Sequence, residues 1–145
     1  MRSFFVSMAV VSLGLFRLPG VQAEEPVPNA IQAVLDAQVA AWNRGDIDGF
    51  MAGYAPSETT TFVSGDEVTR GWKTVRDRYA RKYDRPEKMG KLTFSSLTIT
   101  PLCRDAVMVL GSWRLERKQD RPHGKFTLLF RKLPEGWRIV LDHTS

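Results

Sequence analysis

The chain has 145 residues, a hydrophobic fraction of 43% and a net charge of +5. That length suits one domain, and so small a positive excess does not argue for nucleic acid. The single cysteine, Cys103, rules out an internal disulfide, and His123 and His143 without clustered cysteines do not make a zinc site. There is no Gly-rich phosphate loop and no nucleophile elbow around any Ser, so no cofactor is expected.

Residues 1–23 read as a secretory signal. Arg2 precedes the apolar run Phe4 to Phe16, and Val21-Gln22-Ala23 supplies the small residues before a cut. The run is short for a bilayer span. The expectation is a secreted or periplasmic protein with no stable membrane insertion after cleavage, and one domain over residues 24–145.

From Asn29, read as a cap, Ile31, Val34, Leu35, Gln38 and Trp42 recur at helical spacing, and Gly45 ends the element. Asp46 caps a shorter helix carrying Ile47, Phe50, Met51 and Tyr54, which Pro56 stops. Thr59 to Ser64 is β-branched and aromatic, and Gly65-Asp66 turns it onto Glu67-Val68-Thr69 as a hairpin. Trp72, Val75, Tyr79 and Tyr83 form a third helical stripe. The other face of that helix carries Lys73, Arg76, Asp77, Arg81 and Lys82 and reads as solvated. Arg85 to Gly90 is expected to be a loop.

Three long strands follow, Leu92–Thr100, Ala106–Lys118 and Lys125–Arg131. The last strand, Trp137–Leu141, is almost unbroken in its apolar character and is expected inside the sheet. The order predicts an α+β fold, with a curved, mainly antiparallel mixed sheet wrapped around three N-terminal helices. Asp142 and His143 are neighbours in a strand and point to opposite faces, which argues against a dyad between them or a triad with Ser145.

Strand parity assigns the faces. A three-residue turn at Pro134-Glu135-Gly136 pairs Leu128 with Asp142, and a turn after Lys118 that joins Arg117 to Lys125 pairs Arg114 with Leu128. One face then carries Ser112, Arg114, Glu116, Phe126, Leu128, Phe130, Val140 and Asp142. The other carries Trp113, Leu115, Leu129, Ile139, Leu141 and His143. An apolar second face predicts a homodimer through the outer side of the sheet.

Trp42-Asn43-Arg44-Gly45-Asp46-Ile47-Asp48-Gly49-Phe50, Tyr54-Ala55, the Thr-rich strand and Gly71…Val75-Arg76…Tyr79 resemble the nuclear transport factor 2-like superfamily, SnoaL-like proteins included. The ending Trp137-Arg138-Ile139-Val140…His143-Thr144-Ser145 is similar to that of the association domain of calmodulin-dependent kinases. The resemblance implies a cone, with a pocket between three helices and the concave side of a sheet, and dimers through the sheet. The places of the three ketosteroid isomerase catalytic groups hold Gln38, approximately Phe62, and Leu128, so that machinery is absent. One arginine of the association-domain pocket matches Arg114, while the other two places hold Leu128 and Thr144.

The candidate ligand-binding residues are therefore Gln38, Trp42, Tyr54, Phe62, Arg114, Glu116, Leu128 and Asp142, with Asp142 and Glu116 as weak catalytic candidates. Arg114 and Asp142 are expected to pair across Leu128 as a buried salt bridge, or to serve a site. Trp42, Tyr79 and Tyr83 are expected to be core more than ligand platform. Three functions fit: a secreted binding protein for a small apolar molecule, a SnoaL-like enzyme acting on a small hydrophobic substrate, or a non-catalytic dimerisation module.

Overall fold

The computed structural model describes residues 25–145. The leader assigned to residues 1–23 lies outside the described residues. Helix α1 spans Val27–Asn43, beginning just before the predicted cap. Pro28, in the first helical turn, tolerates the missing N–H because that donor has no partner inside the helix anyway. Helix α2, Ile47–Met51, is capped by Asp46, whose carboxylate accepts from Gly49 N at 2.7 Å.

Strands β1 (Thr61–Ser64) and β2 (Glu67–Arg70) form the expected hairpin, and α3 spans Trp72–Lys82. The expected loop after it contains one helical turn, α4, at Pro86–Met89. Strands β3 (Lys91–Cys103), β4 (Ala106–Glu116), β5 (His123–Leu133) and β6 (Gly136–Thr144) complete the chain.

Among the described residues, six strands form one sheet in the order β2-β1-β6-β5-β4-β3. The last strand is inserted between β1, to which it runs parallel, and β5. The fold is thus α+β, with a mainly antiparallel sheet and its helices at the N-terminal side of the chain. The buried stripe of α1, made by Ile31, Leu35, Gln38 and Trp42, packs on that sheet. Asn43 ties the end of α1 to β3, donating to Leu92 O at 3.1 Å and accepting from Leu92 N at 2.7 Å.

Register decides which side chains face the helices. Leu128 pairs with Asp142 as expected, but by a different route. The β5–β6 turn places Leu133 opposite Gly136, and a bulge between Leu129 and Phe130 absorbs Val140 as an extra residue. Trp137, Ile139 and Asp142 are consequently all buried, whereas Leu141 and His143 are exposed. Ile139 thus belongs to the inner face, contrary to the parity expectation.

In the β4–β5 ladder Arg114 pairs with His123, and Leu128 with Val109. The expected register was wrong by an odd number of residues, because β5 begins earlier than Lys125. An odd slip reverses every side chain of β4. Arg114 and Glu116 are therefore exposed on the outer face, and Leu115 is buried. Trp113, expected on the dimer face, belongs to the concave side and donates from Nε1 to Ser145 O at 3.0 Å.

Candidate functional site

Asp142 reaches the interior because β6 is a central strand and its bulge resets the alternation. Its neighbours in the ladders are Leu128 on β5 and Phe62 on β1. The segment after α2 clips onto β6 further along. Ala55 N donates to Ile139 O at 2.8 Å, Ile139 N donates to Gly53 O at 2.9 Å, and Tyr54 bridges Ile139. Gly53 is required there, since a Cβ would come within 2.7 Å of the Gln38 carboxamide. The clip brings the Tyr54 hydroxyl to Asp142, to which it donates at 2.7 Å.

Both residues are almost fully buried. Burial pushes the Asp142 carboxyl up to about 7, and the Tyr54 hydrogen bond acts in the opposite direction. Burial, and then the Asp142 charge, push the Tyr54 and Tyr79 hydroxyls well above their ordinary range. Both tyrosines therefore remain protonated, and Tyr54 acts as a donor to Asp142. The second carboxyl oxygen of Asp142, Oδ1, has no hydrogen-bond partner among the described residues.

A cavity of about 270 Å³ lies between α3, the end of α1 and the concave side of the sheet. Buried Trp42, Phe50, Phe62, Leu115, Leu128 and Asp142 line its inner part. Ser64, Arg78, Lys82, Thr144 and Ser145, half-buried or exposed, line the outer part. Its aromatic wall is a continuous cluster: the Trp42 ring is 4.7 Å from Tyr83 and 5.1 Å from Phe50, and Tyr79 is 5.4 Å from Phe62, centroid to centroid. Such mainly edge-to-face packing holds the rings in place as an apolar wall.

Of the residues selected from sequence, Trp42, Phe62, Leu128 and Asp142 come together around this cavity. Tyr54 lies behind Asp142 and orients it. Gln38 is buried and donates from Nε2 to Phe50 O at 3.0 Å, so it joins α1 to α2. Arg114 and Glu116 are on the far side of the sheet, and the expected Arg114–Asp142 ion pair is not formed. Sequence reasoning passed over Tyr79, Tyr83 and Trp113 as lining residues, and grouped Lys82 with a solvated helix face. The spacing of Arg78, Tyr79, Lys82 and Tyr83 was the available signal: residues three and four apart share one flank of a helix.

No curated protein matches the chain. Solved structures do. A nuclear transport factor 2-like protein of unknown function from Shewanella oneidensis is 38% identical, with a TM-score of 0.78 over 81% of this chain and 98% of its own. A domain of unknown function with a cystatin-like fold from Nostoc punctiforme is 22% identical, with a TM-score of 0.70 over 85% of this chain and 78% of its own. A nuclear transport factor 2-like superfamily protein from Salmonella enterica is 19% identical, with a TM-score of 0.65 over 83% of this chain and 92% of its own. The family model of the SnoaL-like domain matches residues 31–145. With nearly the whole described chain covered, the protein belongs to the SnoaL-like family of the nuclear transport factor 2-like superfamily.

Proposed function

We propose that the protein is an exported binding protein for a small, largely apolar molecule, held in the cavity with one polar group against Asp142. One observation carries this reading: a buried carboxyl in an aromatic and aliphatic lining, with Oδ1 unpartnered among the described residues. A buried polar atom without a partner costs about 1–3 kcal/mol. A ligand hydroxyl, amine or carbonyl recovers that loss, since a carboxyl near neutrality can donate or accept. The apolar wall supplies affinity, and the one polar contact supplies orientation.

The test uses phenylnaphthylamine, a neutral dye that brightens in apolar surroundings. The expected result is saturable binding to the full chain that is lost in Leu128→Trp, whose indole fills the cavity. Binding that survives Leu128→Trp in a folded variant overturns the reading. Export is checked separately by N-terminal sequencing of protein recovered outside the cytoplasm, which should begin at Glu24.

A second reading, an enzyme acting on a small hydrophobic substrate, is favoured by the same carboxyl. A general acid–base group works best when it titrates near the working pH, and Asp142 does so at about 7. Glu116, exposed on the outer face, has no part in it. In either case we infer a homodimer through the outer sheet face, supported by the exposed side chains of Met108, Leu110 and Leu141.

A further inference from the structure

We propose that the molecule bound in this cavity is amphipathic, with an anionic group such as a carboxylate held at the outer end by Lys82 and Arg78 and an apolar body extending inward to Asp142. This rests on the binding reading above and adds the charge and orientation of the ligand. Arg78 and Lys82 are one helical turn apart on α3, on the flank that borders the opening. Arg78 is already fixed. Its Nη1 lies 2.8 Å from Glu67 Oε1 and 2.7 Å from Thr69 Oγ1, and its guanidinium lies 5.1 Å from the Phe62 ring centroid. Both polar contacts use one nitrogen, which leaves the rest of the fork for another acceptor.

Lys82 has no ion pair among the described residues, and its Nζ is 5.4 Å from the Tyr83 ring centroid. Opposite α3, Ser64 and Thr144 are paired at the ends of β1 and β6; the Thr144 hydroxyl donates to Lys125 O at 3.3 Å, and the Ser64 hydroxyl adds a donor to the same opening. Glu67 offsets Arg78, and the Ser145 main-chain oxygen at the same opening accepts from Trp113, so the attraction for an anion rests chiefly on Lys82. The outer end therefore favours one negative charge. The inner end disfavours it: an anion there would lose its water and meet a carboxyl that itself resists ionisation. Charge outward and apolar body inward is the orientation that satisfies both ends.

Naphthylacetate and naphthylacetamide share an apolar body and differ in charge, so their affinities for the full chain, measured by isothermal titration calorimetry, separate the two claims. Each exposed charge contact supports up to about a fivefold preference, so naphthylacetate should bind about fivefold more tightly at low salt. The preference should shrink at high salt, because Lys82 faces solvent. Lys82→Met should reduce the acetate-to-acetamide ratio by about twofold or more, and His143→Ala, on the outer face, should leave the ratio unchanged. Equal or tighter binding of the acetamide at low salt overturns the anionic assignment while the apolar binding reading stands. A ratio unmoved by Lys82→Met also overturns it. Failure of both probes to bind overturns the binding reading and this inference together.

Discussion

The Tyr54 hydroxyl donates to Asp142 Oδ2 at 2.7 Å, joining residues 88 apart in sequence. The bond links the segment after α2 to the central strand of the sheet. Among the described residues, it also supplies the only side-chain partner of a carboxyl whose other oxygen has none. Tyr54→Phe should therefore destabilise the protein by about 1–3 kcal/mol, since it strands a second buried oxygen. It should also raise the Asp142 pKa further, because the lost hydrogen bond favours the ionised form. Urea denaturation and an NMR titration of the carboxyl measure the two effects. An unchanged or lowered pKa would mean that the hydroxyl does not engage Asp142 in solution.

The same carboxyl should impose a pH dependence on stability. Its folded pKa, about 7, lies above its ordinary value of 3.8, so the folded chain retains a proton that the unfolded chain has lost. The favourable contribution is complete below about pH 4 and declines as pH rises towards 7, because there the native state binds more protons. The whole decline is on the order of 4 kcal/mol, from about 1.36 kcal/mol per pKa unit. Asp142→Asn has nothing to ionise, so its stability relative to the parent should improve steadily between pH 4 and pH 7. Thermal melts across that range decide it, and a constant difference would show that Asp142 is not buried as described.

Arg114 and Asp142 should behave independently. With Arg114 exposed opposite His123, Arg114→Met should change stability by about 0.5 kcal/mol or less. Combined with Asp142→Asn, the effects should add within about 0.3–0.5 kcal/mol, as for sites that share no partner. A double mutant no worse than either single would restore the buried ion pair that the register excludes.

The outer face makes its own prediction. Leu110 is 49% exposed and Leu141 37%, on neighbouring parts of one sheet surface. A stable dimer removes about 800 Å² from each partner. Leu110→Glu and Leu141→Glu should each shift sedimentation from dimer to monomer, because a charge in the centre of an apolar contact loses its water without gaining a partner. A parent chain that sediments as a monomer would remove the dimer from the account.

The fold was readable because its signals are periodic. The stripe from Ile31 to Trp42, the cap at Asp46 and the β-branched run before Gly65 each state a local geometry that packing does not override. The site was readable only in part, because register accumulates errors of one residue. The pairing of Leu128 with Asp142 was correct through two offsetting departures, a tighter turn at Pro134-Glu135 and the extra residue at Val140. No such offset exists between β4 and β5, so Arg114, Glu116 and Trp113 were each assigned to the wrong side. Tyr54 was chosen as a helical residue facing the pocket. Its actual role, orienting Asp142 from behind, depends on the clip between residues 53–55 and Ile139, for which an isolated backbone bridge leaves no compositional trace.

The supernumerary residue in β6 also sets how this strand can change length. Excising Val140 would convert Phe130–Ile139 and Leu129–Leu141 into consecutive rungs and leave Asp142 looking inward. Excising Leu141 instead would leave the same spacing with Val140 turned outward in its place. A one-residue deletion at the bulge is therefore nearly silent with respect to the carboxyl, whereas an insertion just before Asp142 would force either a second bulge or a carboxylate exported to the solvent side. The strand has one point of slack, and it lies immediately upstream of the residue on which the cavity's chemistry depends.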